Sequence, residues 1–127
     1  MAIRAVIIED EEVFRRMLGM ALSRQFSVCE APDGVAAMDS IVRHQPQIVF
    51  LDIMMPSANE GLDLLEALRR DPQTRDLVVA MVTSRADDAD REQALAKGAD
   101  AFFSKPFHLQ EICAWAGERL KAIHAAK

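Results

Sequence analysis

The chain has 127 residues, the size of one compact domain, and is 50% hydrophobic and 28% charged, enough to bury a core. Fifteen Lys and Arg stand against twenty Asp and Glu, and the net charge of −5 excludes an overall basic footprint for nucleic acid or anionic lipid. No apolar run is long enough to span a bilayer, the Met1-Ala2-Ile3-Arg4 start lacks a signal core, and two cysteines, Cys29 and Cys113, fit reduced thiols better than a disulfide framework or zinc site.

Strand-like and helix-like segments alternate five times. Ile3 to Ile8 is an aliphatic, β-branched run that predicts a strand buried on both faces. Phe14, Met17, Leu18, Ala21 and Leu22 then recur at helical spacing, with Glu11 and Glu12 favourable in the first turn. Phe26 to Ala31 is the second strand, closed by Pro32-Asp33-Gly34, and Val35, Met38, Ile41 and Val42 mark a second helix that stops before Pro46. Ile48 to Leu51 is the third and most hydrophobic strand. Leu62, Leu65 and Leu68 predict a third helix ending near Asp71-Pro72, and Leu77 to Val82 is the fourth strand. Asp87 to Lys97 is a helix of alanines and charges closed by Gly98, and Asp100 to Ser104 is the fifth strand. Ile112, Cys113, Ala116, Leu120 and Ile123 line a last helix from Leu109.

This alternation argues for parallel βαβ units in an α/β fold. Right-handed crossovers favour a doubly wound, flavodoxin-like five-stranded sheet of order 2-1-3-4-5 with five helices, in one domain over residues 1–127. Ligands of such sheets sit beyond the carboxyl ends of the strands. The first strand ends in Glu9-Asp10-Glu11-Glu12, which lacks the glycine-rich turn that cradles a bare phosphate, so nucleotide and flavin binding are disfavoured. The third ends in Asp52, the fourth in Val82-Thr83-Ser84 and the fifth in Ser104-Lys105-Pro106-Phe107.

Each ending alone reads as ordinary turn or surface chemistry, but together they collect acids, a hydroxyl and an ammonium on one edge. Two carboxylates 4 Å apart repel by about 4 kcal/mol at an effective dielectric near 20, so the cluster calls for a divalent cation, and hard oxygen donors suit Mg2+. A cation joined by a Lys and a hydroxyl is the equipment of phosphoryl transfer, with Asp52 central as nucleophile.

On Glu9-Asp10, Leu51-Asp52-Ile53-Met54-Met55-Pro56, Val82-Thr83-Ser84 and Ser104-Lys105-Pro106-Phe107, in that order and spacing, the chain resembles a response-regulator receiver domain of two-component signalling over essentially its whole length. The resemblance implies that Asp52 accepts a phosphoryl group from a histidine kinase or a histidine phosphotransfer protein. It implies Mg2+ held by Asp10, Asp52, the Met54 carbonyl and, through water, Glu9. Lys105, followed by a cis Pro106, contacts a phosphoryl oxygen. Thr83 moves to bond the phosphoryl group, and Phe102 turns into the space that Thr83 leaves. Such a domain is no enzyme toward other substrates: it catalyses only its own phosphorylation and dephosphorylation.

The chain departs from the family pattern in the loop after Pro56, where Ser57 to Glu60 add one residue before Gly61, and in having Phe102 without a tyrosine hydroxyl. Met54 and Arg85 offer no general base to an attacking water, which implies slow to moderate loss of the phosphoryl group. The chain ends soon after the last helix, so the expectation is a stand-alone cytoplasmic monomer that passes its signal to a downstream protein target, without nucleic acid or membrane. The alternative is an adaptor that signals without phosphorylation. Trp115 lies off the centre of the last helix's stripe and reads either as core-edge packing or as an anchor for a partner protein.

Overall fold

The computed structural model describes residues 3–52, 60–83, 88–104 and 109–125. The elements run β1 Arg4–Ile8, α1 Glu12–Leu22, β2 Ser27–Ala31, α2 Gly34–His44, β3 Ile48–Leu51, α3 Glu60–Arg70, β4 Val78–Thr83, α4 Asp88–Ala96, β5 Ala101–Ser104 and α5 Leu109–Ala125. Five parallel strands are ordered β2-β1-β3-β4-β5, the topology read from the sequence. Strand limits shift by one residue at β1, β2, β4 and β5; the fourth strand runs on to Thr83, whose backbone pairs in register with Ser104.

The continuous apolar runs of β1 and β3 are explained by burial on both faces. Val6, Ile8, Val49, Leu51, Val79 and Met81 point into one core layer with Ala37, Ile41 and the α3 leucines Leu62, Leu65 and Leu68. Ala5, Ile7, Ile48, Phe50, Ala80 and Val82 point into the other, with Leu18, Leu22, Ile112 and Ala116. Successive residues of a strand therefore alternate between layers, as the pleat requires.

Two helices bury different residues from those expected. On α1, Leu18 and Leu22 are buried but Met17 is half exposed, and Gly19 takes a buried place on the sheet side. On α2 only Ile41 of the four expected residues is buried, alongside Ala37, while Val35, Met38 and Val42 face outward. Small residues on the inner faces let these helices lie close to the strands, leaving little room for larger side chains. Asp33 caps α2 by accepting from the Ala36 N–H at 2.8 Å, and the helix closes on Gln45 in the left-handed region (φ 47°). As the sequence suggests, α4 is lightly anchored: Ala94 and Asp90 are buried, whereas Leu95 is substantially exposed.

Trp115 packs into the edge of the core. Its ring stands edge-on to Phe50 and Phe103, with centroids 6.2 and 5.7 Å away, and the Arg119 guanidinium lies 5.7 Å from its centroid. None of the described helices is long and apolar enough to cross a membrane.

Candidate phosphoryl-acceptor and cation site

The site follows from register. Ile8 of β1 pairs with Leu51 of β3, so the chain leaves the two strands at the same level and delivers Glu9, Asp10 and Asp52 side by side. The Asp52 N–H donates to the Ile8 carbonyl at 3.1 Å and extends the ladder one step beyond the strands. One carboxylate oxygen from each of Glu9, Asp10 and Asp52 lies within 4.8 Å of the other two. Glu9 and Asp52 are buried, at 5% and 4% exposure, whereas Asp10 is exposed. Two sequestered carboxylates and one solvent-facing carboxylate thus form an anionic cup open on one side.

This donor set fits Mg2+. Three anionic oxygens at such spacing repel one another unless a cation lies among them, and Mg2+ takes one or two carboxylates while keeping several waters. Among the three acids it is the exposed Asp10 that solvent reaches.

Glu9 is held at three points. Its N–H donates to the Ala31 carbonyl at 3.0 Å, its carbonyl accepts from Arg15 Nη1 at 2.9 Å, and its Oε2 accepts from the Glu11 N–H at 3.0 Å. Arg15 was not marked by sequence reasoning. It looks there like any α1 charge, because its acceptor is a backbone carbonyl, and no sequence pattern marks one.

Thr83, fully buried, ends β4; Leu51 pairs with Met81, so Thr83 stands one residue beyond the level of Asp52. Phe102 pairs with Met81 and shares its core layer, and so lies on the same sheet face as Thr83, two residues on from Met81. Phe102 is buried, and the Arg91 guanidinium of α4 covers its ring at 5.1 Å from the centroid. The structure thus brings Glu9, Asp10 and Asp52 together and sets Thr83 and Phe102 on one face. Met54, Lys105, Pro106 and Arg85, together with residues 57–59 of the longer loop, lie outside the described residues.

Residues 5–116 match the family model described as the response regulator receiver domain. The chain is 36% identical over 124 residues to the phosphate regulon transcriptional regulatory protein PhoB of Klebsiella pneumoniae, covering 97% of this chain and 52% of that protein. It is likewise 36% identical over 124 residues to the response regulator MprA of Mycobacterium sp. (strain KMS), covering 97% of this chain and 51% of the other. The chain therefore spans about half the length of the curated relatives it matches. In fold it is similar to the CheY-like response regulator receiver domain protein of Methanospirillum hungatei JF-1, with a TM-score of 0.89, 22% identity and complete coverage of both chains. The signal receiver domain of a DNA-binding response regulator from Colwellia psychrerythraea 34H is similar too, at a TM-score of 0.88, 24% identity, and coverage of 94% of this chain and 98% of that one.

Proposed function

This chain belongs to the response-regulator receiver family, and from that membership we propose that it is a phosphorylatable switch whose acceptor is Asp52. The observation that carries the reading is the convergence of Glu9, Asp10 and Asp52, with the acceptor carboxylate sequestered and the exposed Asp10 beside it.

In the transfer, an Asp52 carboxylate oxygen attacks the phosphorus of a phosphohistidine on a histidine kinase or histidine phosphotransfer protein. The new P–O bond forms as the P–N bond breaks, and its electron pair returns to the donor's imidazole. When bound by Asp10, Asp52, the Met54 carbonyl and, through water, Glu9, Mg2+ supplies positive charge to the carboxylates and phosphoryl oxygens. Lys105 pairs with a phosphoryl oxygen, and the Thr83 hydroxyl donates to another. Hydrolysis of the acyl phosphate resets Asp52, so the chemistry is confined to the protein's own side chain.

The product carries between one and two additional negative charges at the end of β3. Thr83 is drawn toward them and leaves space on the face that it shares with the buried Phe102, whose ring shifts into that space and alters the surface around α4 and β5. That surface engages a downstream protein target in the cytoplasm.

The experiment uses acetyl phosphate and Mg2+ as donor and cation, with intact-protein mass spectrometry as the readout. Wild type gains one phosphoryl group, Asp52→Asn gains none, and chelation of Mg2+ suppresses the gain. Labelling of Asp52→Asn at the wild-type rate would show that the acceptor is another residue. A wild type that neither gains the group nor binds beryllofluoride in Mg2+ would make the chain an adaptor that signals without phosphorylation.

A further inference from the structure

Arg15 sits in the first turns of α1 with a largely buried side chain, 14% exposed. Nη1 donates to the Glu9 carbonyl at 2.9 Å, and Nε pairs with Glu30 Oε1 of β2 at 3.3 Å. The helix start it spans has no side-chain cap: Glu11 occupies the cap position in extended conformation and makes no capping bond through its side chain. What stands in place of a cap is a fold-back. Arg15 reaches from inside the helix to the last carbonyl before the turn, while the Glu11 N–H donates to the Glu9 carboxylate.

We propose that Arg15, held by Glu30, is a positioning residue for the cation site, setting the β1–α1 turn so that the Glu9 and Asp10 carboxylates converge on Asp52 before any cation arrives. The inference rests on the reading of these three acids as a Mg2+ site. Two physical consequences separate positioning from charge alone. A guanidinium near a cation site weakens cation binding by repulsion, so a purely electrostatic Arg15 would hinder Mg2+. Paired with Glu30, its charge is compensated locally, and what remains is its grip on the Glu9 carbonyl. Partners behind the ligands commonly change metal affinity by 10–100-fold, through ligand orientation.

The test measures Mg2+ affinity by titration calorimetry for wild type, Arg15→Met, Arg15→Lys, Glu30→Gln and Asp10→Asn, with amide exchange of Glu11 followed in the same proteins. Arg15→Met keeps the apolar stem and is expected to bind Mg2+ about tenfold more weakly, with faster Glu11 exchange and unchanged Phe50 exchange. Arg15→Lys keeps the charge but cannot bridge both acceptors, so it is weakened as well; it also serves if Arg15→Met fails to fold. Glu30→Gln leaves the guanidinium uncompensated, and its weakening shrinks as KCl is raised, whereas that of Arg15→Met does not. Unchanged or tighter Mg2+ binding in Arg15→Met and Arg15→Lys would overturn the positioning role. Wild-type affinity in Asp10→Asn would instead overturn the cation site itself, so the two failures are distinguishable.

Discussion

Arg69 grips the carbonyl of Gly98: Nε and Nη2 donate to it at 3.0 and 2.7 Å, across the gap between the end of α3 and the α4–β5 turn. The same guanidinium donates through Nη1 to the carbonyls of Arg75 and Leu77, at 2.9 and 2.6 Å, and through Nη2 to Asp100 Oδ2 at 3.0 Å. Asp100 Oδ2 accepts as well from the Val79 N–H at 2.8 Å. One side chain therefore ties α3, the approach to β4 and the approach to β5 at the amino-terminal edge of the sheet, the edge opposite the one that carries the acids.

Gly98 is required at this junction for two reasons. Its φ of +106° disfavours any side chain, and a Cβ there would meet Arg69 Nε at 2.9 Å. Gly98→Ala is expected to destabilise the fold by about 2–3 kcal/mol, since strained backbone positions cost 1–3 kcal/mol and the Arg69 contacts must also shift. Urea unfolding checks it, as a lower midpoint with an unchanged slope. An unchanged midpoint would show that the turn relaxes without loss.

Glu66 links α3 to the end of α4, accepting from Lys97 Nζ at 2.8 Å and from Arg70 Nη2 at 2.9 Å. The hydrogen bond and charge of Lys97, then the charge of Arg70, hold the Glu66 carboxyl below its ordinary value of 4.5. A carboxylate depressed in the folded state adds stability above its unfolded pKa and loses it as pH falls through the folded pKa. The stability difference between wild type and Lys97→Met is therefore expected to be full near neutral pH and to fade below pH 4.5. It is small, because the pair is partly exposed. Chemical denaturation across the acid range measures it, and a difference that grows on acidification would contradict the assignment.

Trp115, the single tryptophan, packs edge-on against Phe50 and Phe103. Trp115→Ala is expected to cost about 3 kcal/mol, the lower end of the range for removing a large aromatic from a core, because the ring is only part-buried. Thermal unfolding reads the loss. A variant of wild-type stability would mean that the ring contributes to an external surface instead.

Cys113 of α5 faces α1, with Sγ 3.8 Å from the Ala21 carbonyl. Burial raises its pKa above 9.0, and the charge of Arg24 offsets this in part. At pH 8 the thiolate fraction is thereby reduced, so alkylation by iodoacetamide, followed by mass spectrometry, is expected to be slower at Cys113 than at a free thiol. Alkylation as fast as that of a free thiol would show that the site opens readily.

The sequence by itself determined the alternation of strands and helices, because a strand buried on both faces must be apolar throughout, as in Ala5 to Ile8 and Ile48 to Leu51. It also marked the acids, since Asp52 follows four apolar residues with no helix close enough to cap. Periodicity could find α1 and α2 but not choose which of their apolar residues pack. Met17, Val35, Met38 and Val42 are as hydrophobic as those inside, and only the close approach of Gly19 and Ala37 to the sheet leaves them out. The gathering of Glu9, Asp10 and Asp52 on one edge was legible from the strand order, but the tertiary structure decided how closely they approach, through the pairing of Ile8 with Leu51, and that Asp10 stays exposed while the other two are buried. The tertiary structure alone placed Arg15 on Glu9 and Arg69 on Gly98. Both guanidiniums bind backbone carbonyls, which every residue carries, so no residue type in the chain announces the partner, and only folding brings the two ends together.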